Sequence, residues 1–372
     1  MTNPLRVLLA GAVLGQPAGG VRRHNAELLP ILARRLASEG GRLDVLAGMG
    51  GIAFDLPPEA RVFESEVPEG PPILRAVTEG RAIRHRLFEA QEAGEAYDLV
   101  HTAHFPVPRQ LGAPLVATVH DLRALSLEHT PLSRRLIAGR VYGQALRNAA
   151  GVIAVSSTVR DELMERFQLP EERVHLVHNA ADHFTPLPRR PRTDAPILHL
   201  GHLEPRKNLA LLIRALAADP SLPQLVLAGA AKGDEKERLT ALALELGVEE
   251  RVHLFGPYDE AELPDLLATC AALVVPSKLE GFGIPVLEAQ RAGVPVAISR
   301  AGALTEIAGR EAPSFDPGDA DACAAAIRAA LQATPEQLAT ARLRAEQWTW
   351  KAAAEAWHTA WQASRRFPCD DD

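Results

Sequence analysis

Glu280 and Glu288 stand eight positions apart, and the residues between them are Gly281, Phe282, Gly283, Ile284, Pro285, Val286 and Leu287. Gly281 and Gly283 let a backbone come close to a ligand. Pro285 suits a first helical residue, and the free amides of a helix start near Val286 and Leu287 suit an anion such as a diphosphate. Carboxylates flanking that anion accept hydrogen bonds from the hydroxyls of a sugar and a ribose. The combination points to a glycosylated nucleotide. A second constellation lies upstream, where Arg206 and Lys207 follow Gly201 in the run Gly-His-Leu-Glu-Pro-Arg-Lys-Asn-Leu. Two cations after an apolar run and at a helix start also suit an anion. Each element has a plainer reading alone. Two Glu at this spacing arise by chance in a chain of this length, with Glu288 opposing the positive end of its helix and Glu280 solvated in a loop. Adjacent Arg and Lys are common on surfaces. The intervening Gly-Phe-Gly-Ile-Pro and the order of the two constellations argue for the site.

The elements that must hold these residues alternate in type. Residues 273–275 read as a buried strand and 294–298 as the next, with a helix between them that stops at Gly293. Further strands are expected at 5–10, 43–47, 99–102, 115–119, 152–155, 174–177, 197–200, 225–228 and 252–255, with helical stretches between several of them. The helix at 21–36 shows Leu28, Leu29, Leu32 and Leu36 at helical spacing and follows Gly19 and Gly20. Such alternation implies parallel sheets covered by helices on both faces, with ligands at the C-terminal ends of the strands. His120, with Asp121, and His104 fall at such ends; the plainer reading makes Asp121 a helix cap and His104 a surface loop residue.

The chain has 372 residues, more than one core usually supports, so two domains of similar size are expected. The Pro- and Arg-rich stretch 185–196 is the linker candidate, which sets domains at 1–184 and 185–345. Residues 346–372 then form a closing helix that carries Trp348, Trp350, Trp357 and Trp361 back onto the first domain. A net charge of −7 argues against nucleic-acid binding through bulk charge. Cys270, Cys323 and Cys369 are too widely spaced for a zinc site or a disulfide framework and fit a reducing cytoplasm. The apolar start at 5–14 reads as a strand and not as a secretory leader. The stretch 130–149 mixes Arg134, Arg135, Arg140 and Arg147 with Leu and Ile. It is either a solvated face or a peripheral membrane contact.

Glu280 and Glu288 with Gly-Phe-Gly-Ile-Pro between them resemble the E-x7-E signature of the retaining family 4 glycosyltransferases. The run Glu204 to Asn208 is similar to the Glu-Pro-Arg-Lys-Asn form found in many of its members. Residues 178–182 resemble the family's Pro-Asn-Gly-Val-Asp segment, with Ala180 in place of glycine. The resemblance implies the GT-B fold: two Rossmann-like domains facing across a cleft, with the last helix crossing back. It implies that Glu280 faces the donor sugar and that the backbone from Gly281 through Phe282, Gly283, Ile284, Val286 and Leu287 lines sugar and diphosphate. By the same resemblance Glu288 binds the ribose, and Arg206 and Lys207 hold the diphosphate. Gly229 and Tyr258 would neighbour the nucleotide, His120 would contact the donor sugar, and Gly19 and Gly20 would face the cleft.

The implied reaction moves a hexose from a nucleoside-diphosphate sugar to an acceptor hydroxyl with retention. No carboxylate stands out as a nucleophile, which favours same-face displacement with the leaving phosphate taking the acceptor proton. No compelling Asp-x-Asp metal site stands out, and no cofactor or metal is expected. GDP-mannose is the first donor expected and UDP-glucose the second. The acceptor is a sugar or a lipid-linked molecule of polysaccharide or glycolipid assembly, reached from the cytoplasm or the inner membrane face. Two rivals are a nucleotide-sugar epimerase of the same architecture and a non-catalytic binding subunit. The first needs acid and base groups at the sugar and no acceptor; intact Glu280, Glu288, Arg206 and Lys207 count against the second.

Overall fold

The computed structural model describes residues 4–15, 19–70, 72–104, 111–122 and 132–367. The chain divides into two compact units, one of Met1–Asn179 with Trp350–Asp372 and one of Ala180–Thr349. The boundary expected at 184/185 lies within the second unit's opening segment.

The first unit is built on a parallel sheet of seven strands in the order β3-β2-β1-β4-β5-β6-β7. These are β1 (Arg6–Gly11), β2 (Arg42–Ala47), β3 (Ala60–Glu64), β4 (Leu99–Thr102), β5 (Leu115–Val119), β6 (Gly151–Ala154) and β7 (Val174–Leu176). Val7, Leu8, Leu9 and Ala10 of β1 are fully buried, as expected of a strand whose two faces are covered by helices. The register runs Arg6↔Arg42 to β2 on one side and Val7↔Leu99 to β4 on the other, so the strand order reverses beside β1. The connecting helices are α1 (Gly20–Ser38), α2 (Pro72–Glu92), α3 (Leu132–Arg147) and α4 (Ser157–Phe167). Ser156 caps α4, its Oγ accepting from the Val159 amide at 3.1 Å.

The second unit repeats the plan with six parallel strands in the order β10-β9-β8-β11-β12-β13. They are β8 (Ile197–Leu200), β9 (Leu225–Ala228), β10 (Val252–Gly256), β11 (Ala272–Val275), β12 (Val296–Ser299) and β13 (Ser314–Phe315). Its helices are α5 (Leu209–Ala218), α6 (Glu235–Glu245), α7 (Leu263–Thr269), α8 (Ile284–Arg291), α9 (Leu304–Ala308), α10 (Ala320–Leu331) and α11 (Pro335–Glu346). Leu212, Ile213 and Leu216 of α5 share one buried cluster with Ile197, Leu225, Val274, Phe315 and Ile327. Here β8 pairs β11 through Ala272↔Ile197, and the order reverses beside β8.

Two strands escape the sequence patterning for physical reasons. The edge strand β3 is half exposed along its length and shows no apolar run, and β13 is only two residues long. The tryptophans divide differently from expectation. Trp350, Trp357 and Trp361 are buried on the last helix, α12 (Trp350–Ser364), inside the first unit. Trp348 instead stays in the second unit, its ring 5.5 Å from that of Phe282. Two of the three buried indoles of α12 donate to one acceptor, His101 Nδ1, Trp357 at 3.0 Å and Trp361 at 2.7 Å. That leaves the His101 Nε2–H to donate to Thr118 Oγ1 at 2.9 Å. Burial, reinforced by His24, pushes the His101 pKa well below its ordinary value, so the ring is neutral as this pattern requires.

Candidate active site

The second unit's reversal point collects both constellations at the C-terminal ends of β8 and β11, where an open parallel sheet leaves a crevice. After β8 the chain makes a tight turn at Pro205–Lys207 and leaves it through Asn208, a non-glycine residue at φ 57. The Asn208 amide donates to Pro276 O at 3.1 Å and to Pro317 O at 2.8 Å, which fastens this turn to the end of β11. The Lys278 amide donates to Arg206 O at 2.9 Å from the other side. The two loops thus form one piece although over 70 residues separate them.

Glu280 sits between the two cations. Its Oε2 accepts from Arg206 Nη1 at 2.9 Å and its Oε1 from Lys207 Nζ at 2.8 Å, with the carboxylate 11% and the lysine side chain 9% exposed. Burial alone would raise the Glu280 pKa; the charges of Lys207 and Arg206 and the bonds they donate outweigh it and hold the group below the usual carboxylate range. Glu204 completes the cluster, reaching Arg206 Nη2 at 2.8 Å and Lys232 Nζ at 3.7 Å. Beneath Lys207, buried His199 donates its Nδ1–H to Val274 O at 3.0 Å. Burial and then the Lys207 charge lower its pKa to about 4, so the ring is neutral and adds no competing charge.

Helix α8 begins beside this cluster. Gly283, at φ 104, precedes Ile284, and Pro285 occupies the second helical position and not the first. The Val286 amide is turned inward onto Gly283 O at 2.9 Å, so the first-turn amides of Gly283 and Ile284 remain for an anion. The side chains of Val286 and Leu287 are fully buried in the core, which restricts those positions to a backbone role. Phe282 is 5% exposed and packs on Trp348. Glu288, one turn into the helix, is 5% exposed and bonded to His183.

The glycines have specific steric reasons. A Cβ on Gly229 would lie 2.0 Å from Gly201 O, so its bareness lets the ends of β8 and β9 meet. Tyr258 lies half buried beyond Gly256, whose carbonyl accepts the Gly229 amide at 2.7 Å. The loop at Ala301–Ala303 also borders the site. Ala303 N donates to Glu280 O at 2.9 Å, and a Cβ on Gly302 would lie 2.1 Å from that same oxygen. It therefore sets the height of the Glu280 backbone.

In the first unit, His120 is half buried just after β5, its ring 4.8 Å from that of His24 and nearly perpendicular to it. His24 is fully buried on α1 and donates from Nδ1 to Asn179 Oδ1 at 2.6 Å. Burial and the neighbouring His120 push its pKa well below the ordinary value. Gly19 and Gly20 are exposed at the start of α1, with Gly19 at φ 124. Ala180, where the resemblance expected glycine, adopts no positive φ, so a side chain fits there. His104 is not the surface residue expected. It is 7% exposed, with its Nε2 3.1 Å from the buried carboxylate of Glu79 at the first unit's own reversal point. Residues 123–131 fall outside the described residues, as do the side chains of the first turns of α3, which include Arg134 and Arg135 of the basic segment; Arg140 and Arg147 of that segment are exposed. Among the described residues no helix is long and apolar enough to cross a membrane, and no cluster of His, Cys, Asp and Glu is arranged to hold a metal ion. Cys270 and Cys323 are buried, which raises their thiol pKa values to about 11 and about 12.

Two parallel sheets, each with its own reversal point, and a cation pair with a carboxylate pair at the second, define a GT-B glycosyltransferase. Comparison with known proteins agrees on both halves. The glycosyl transferases group 1 family matches residues 187–348, and glycosyltransferase family 4 matches residues 18–183. An O-antigen chain mannosyltransferase B from Escherichia coli is 28% identical over 93% of this chain and 97% of its own length. A D-inositol 3-phosphate glycosyltransferase from Catenulispora acidiphila is 31% identical over 78% of each chain. Among solved structures, a sucrose-phosphate synthase from Thermosynechococcus elongatus superposes with a TM-score of 0.77 at 23% identity, covering 96% of this chain and 98% of that one. The chain belongs to the family 4 glycosyltransferases.

Proposed function

We propose that this glycosyltransferase is a retaining hexosyltransferase that moves mannose or glucose from a nucleoside-diphosphate sugar to an acceptor hydroxyl in polysaccharide or glycolipid assembly. The observation that carries the reading is the grip of Arg206 and Lys207 on Glu280 beside the first turn of α8. That arrangement places positive charge and free amides where a diphosphate would lie, with a carboxylate next to it for the sugar hydroxyls. Glu288 takes the ribose, and Gly229 and Tyr258 neighbour the base. For His120, Gly19 and Gly20 of the first unit, the reading assigns contacts with donor sugar and acceptor. Mannose is supported by the Escherichia coli relative, which is named a mannosyltransferase.

In the proposed reaction the bond between the anomeric carbon and the phosphate oxygen breaks. The acceptor oxygen bonds to the same face, and its proton passes to the leaving phosphate. Arg206 and Lys207 stabilise the charge that grows on the diphosphate, so the reaction needs no resident metal. Work in the cytoplasm, at the inner membrane face when the acceptor is lipid-linked, completes the reading.

The test is thermal stabilisation of the pure protein in EDTA by a panel of nucleoside diphosphates and nucleotide sugars. A ligand at about 100 Kd adds about 2.7 kcal/mol to stability. One nucleotide series should stabilise the wild type and lose most of that effect in Arg206→Ala. With donor and acceptor, Lys207→Ala should lose about 10²–10³ in kcat, and the product should keep the donor's anomeric configuration by NMR. An inverted product overturns retention, a requirement for divalent metal overturns the charge assignment, and turnover without any acceptor favours an epimerase.

A further inference from the structure

Glu288 is buried on α8, and among the described residues its side chain makes one hydrogen bond. The partner is His183, whose Nε2 lies 3.0 Å from Glu288 Oε1, with the two side chains 3% and 6% exposed. An ionised carboxylate only accepts, so the imidazole Nε2–H is the donor. A carboxylate buried to this degree is costly without a donor, and the imidazole supplies one. His183 lies in the segment that opens the second unit, its ring 5.4 Å from that of its chain neighbour Phe184. Bonding through Oε1 restrains the glutamate side chain and, among the described residues, leaves Oε2 without a hydrogen bond.

We infer that His183 is a positioning residue that aims Glu288 at the ribose and thereby sets selectivity for ribonucleotides over deoxyribonucleotides. The inference rests on the reading of Glu288 as the ribose ligand. Its physical content is preorganisation: a hydrogen-bond acceptor held by a neighbour loses no rotamer freedom when the hydroxyl arrives. An unheld glutamate would still meet the ribose, but less often in the right geometry. A deoxynucleotide lacking that hydroxyl gains nothing from the held carboxylate, so the effect is confined to ribonucleotides.

The experiment titrates the full chain calorimetrically with UDP and GDP, and with the 2′-deoxy and 3′-deoxy forms of whichever binds. The proteins are wild type, His183→Ala, His183→Gln and Glu288→Ala, each first checked for a cooperative melt. The wild type should prefer the ribonucleotide by tenfold or more. His183→Ala should lose about tenfold of that preference, through weaker ribonucleotide binding with deoxynucleotide binding unchanged. His183→Gln, whose amide N–H replaces the imidazole donor, should recover most of it. Wild-type preference in His183→Ala, or equal weakening of both nucleotides, overturns the positioning role. If Glu288→Ala abolishes the preference while His183→Ala keeps it, only this inference falls. If Glu288→Ala keeps the preference, or the wild type has none, the ribose reading falls with it.

Discussion

Glu280 is a carboxylate that its surroundings keep ionised against the cost of burial, and the stability of the second unit depends on that. Removing it leaves Lys207, which is 7% exposed, facing Arg206 with no shared counter-charge. Losing one partner of a buried pair costs about 3–5 kcal/mol, so Glu280→Gln should destabilise the unit by about 3 kcal/mol at neutral pH. The sign of the pH effect follows from the depressed pKa. The contribution is complete above the unfolded value near 4.3 and is lost as pH falls through the folded value. The gap between wild type and Glu280→Gln in urea unfolding should therefore hold from neutral pH to about 4.3 and shrink below it. His199 acts in the same direction but earlier. It is neutral when folded, so its contribution is complete above the unfolded value near 6.5 and declines until pH passes about 4. Wild-type stability should accordingly fall in two stages on acidification, and a flat profile between pH 7 and 4.5 would contradict the assignment of a buried neutral His199.

At the scale of elements, the site depends on where loops touch backbone to backbone. Gly302, at φ 56, passes so close to Glu280 O that a Cβ would lie 2.1 Å from it, and Gly229 has the same relation to Gly201 O at 2.0 Å. Gly293, at φ 67, faces open space and serves as a control for the positive φ alone. Gly302→Ala and Gly229→Ala should each cost about 2 kcal/mol or more, and Gly293→Ala about 1 kcal/mol. Only Gly302→Ala carries the Glu280 carbonyl with it, so its kcat/KM should fall beyond what the stability loss explains. Equal stability in all three variants by denaturant titration would show that these loops yield without strain.

For the molecule as a whole, α12 is the last element in the chain yet belongs to the first unit. Trp357 and Trp361 are fully buried there, and both donate to His101. Each lost tryptophan is worth about 3–5 kcal/mol, and two together approach the whole stability of an ordinary domain, about 5–15 kcal/mol. A chain ending at Thr349 should therefore show the second unit's melting transition by calorimetry and lose that of the first. A first transition that survives truncation would mean that α12 is only an accessory.

What the sequence by itself determined is local. Buried strands such as 6–11 and 272–275 are apolar runs, and the turns that carry the site announce themselves by Gly, Pro and Asn, because propensity and periodicity act over a few residues. The two site constellations were legible for the same reason, each being a contiguous motif. The tertiary structure decided what crosses the chain. His183 meets Glu288 over 105 residues, His24 meets Asn179 over 155 and Trp361 meets His101 over 260. None of these partners shares a local pattern, and His183 carried no signal at all. Trp348 and Trp350, two residues apart, belong to different units, because the chain passes from one unit to the other between them. The order of strands is the physical reason. By setting β11 and not β10 beside β8, the sheet brings Arg206 and Lys207 to Glu280, a placement that topology supplies and no short stretch of sequence encodes.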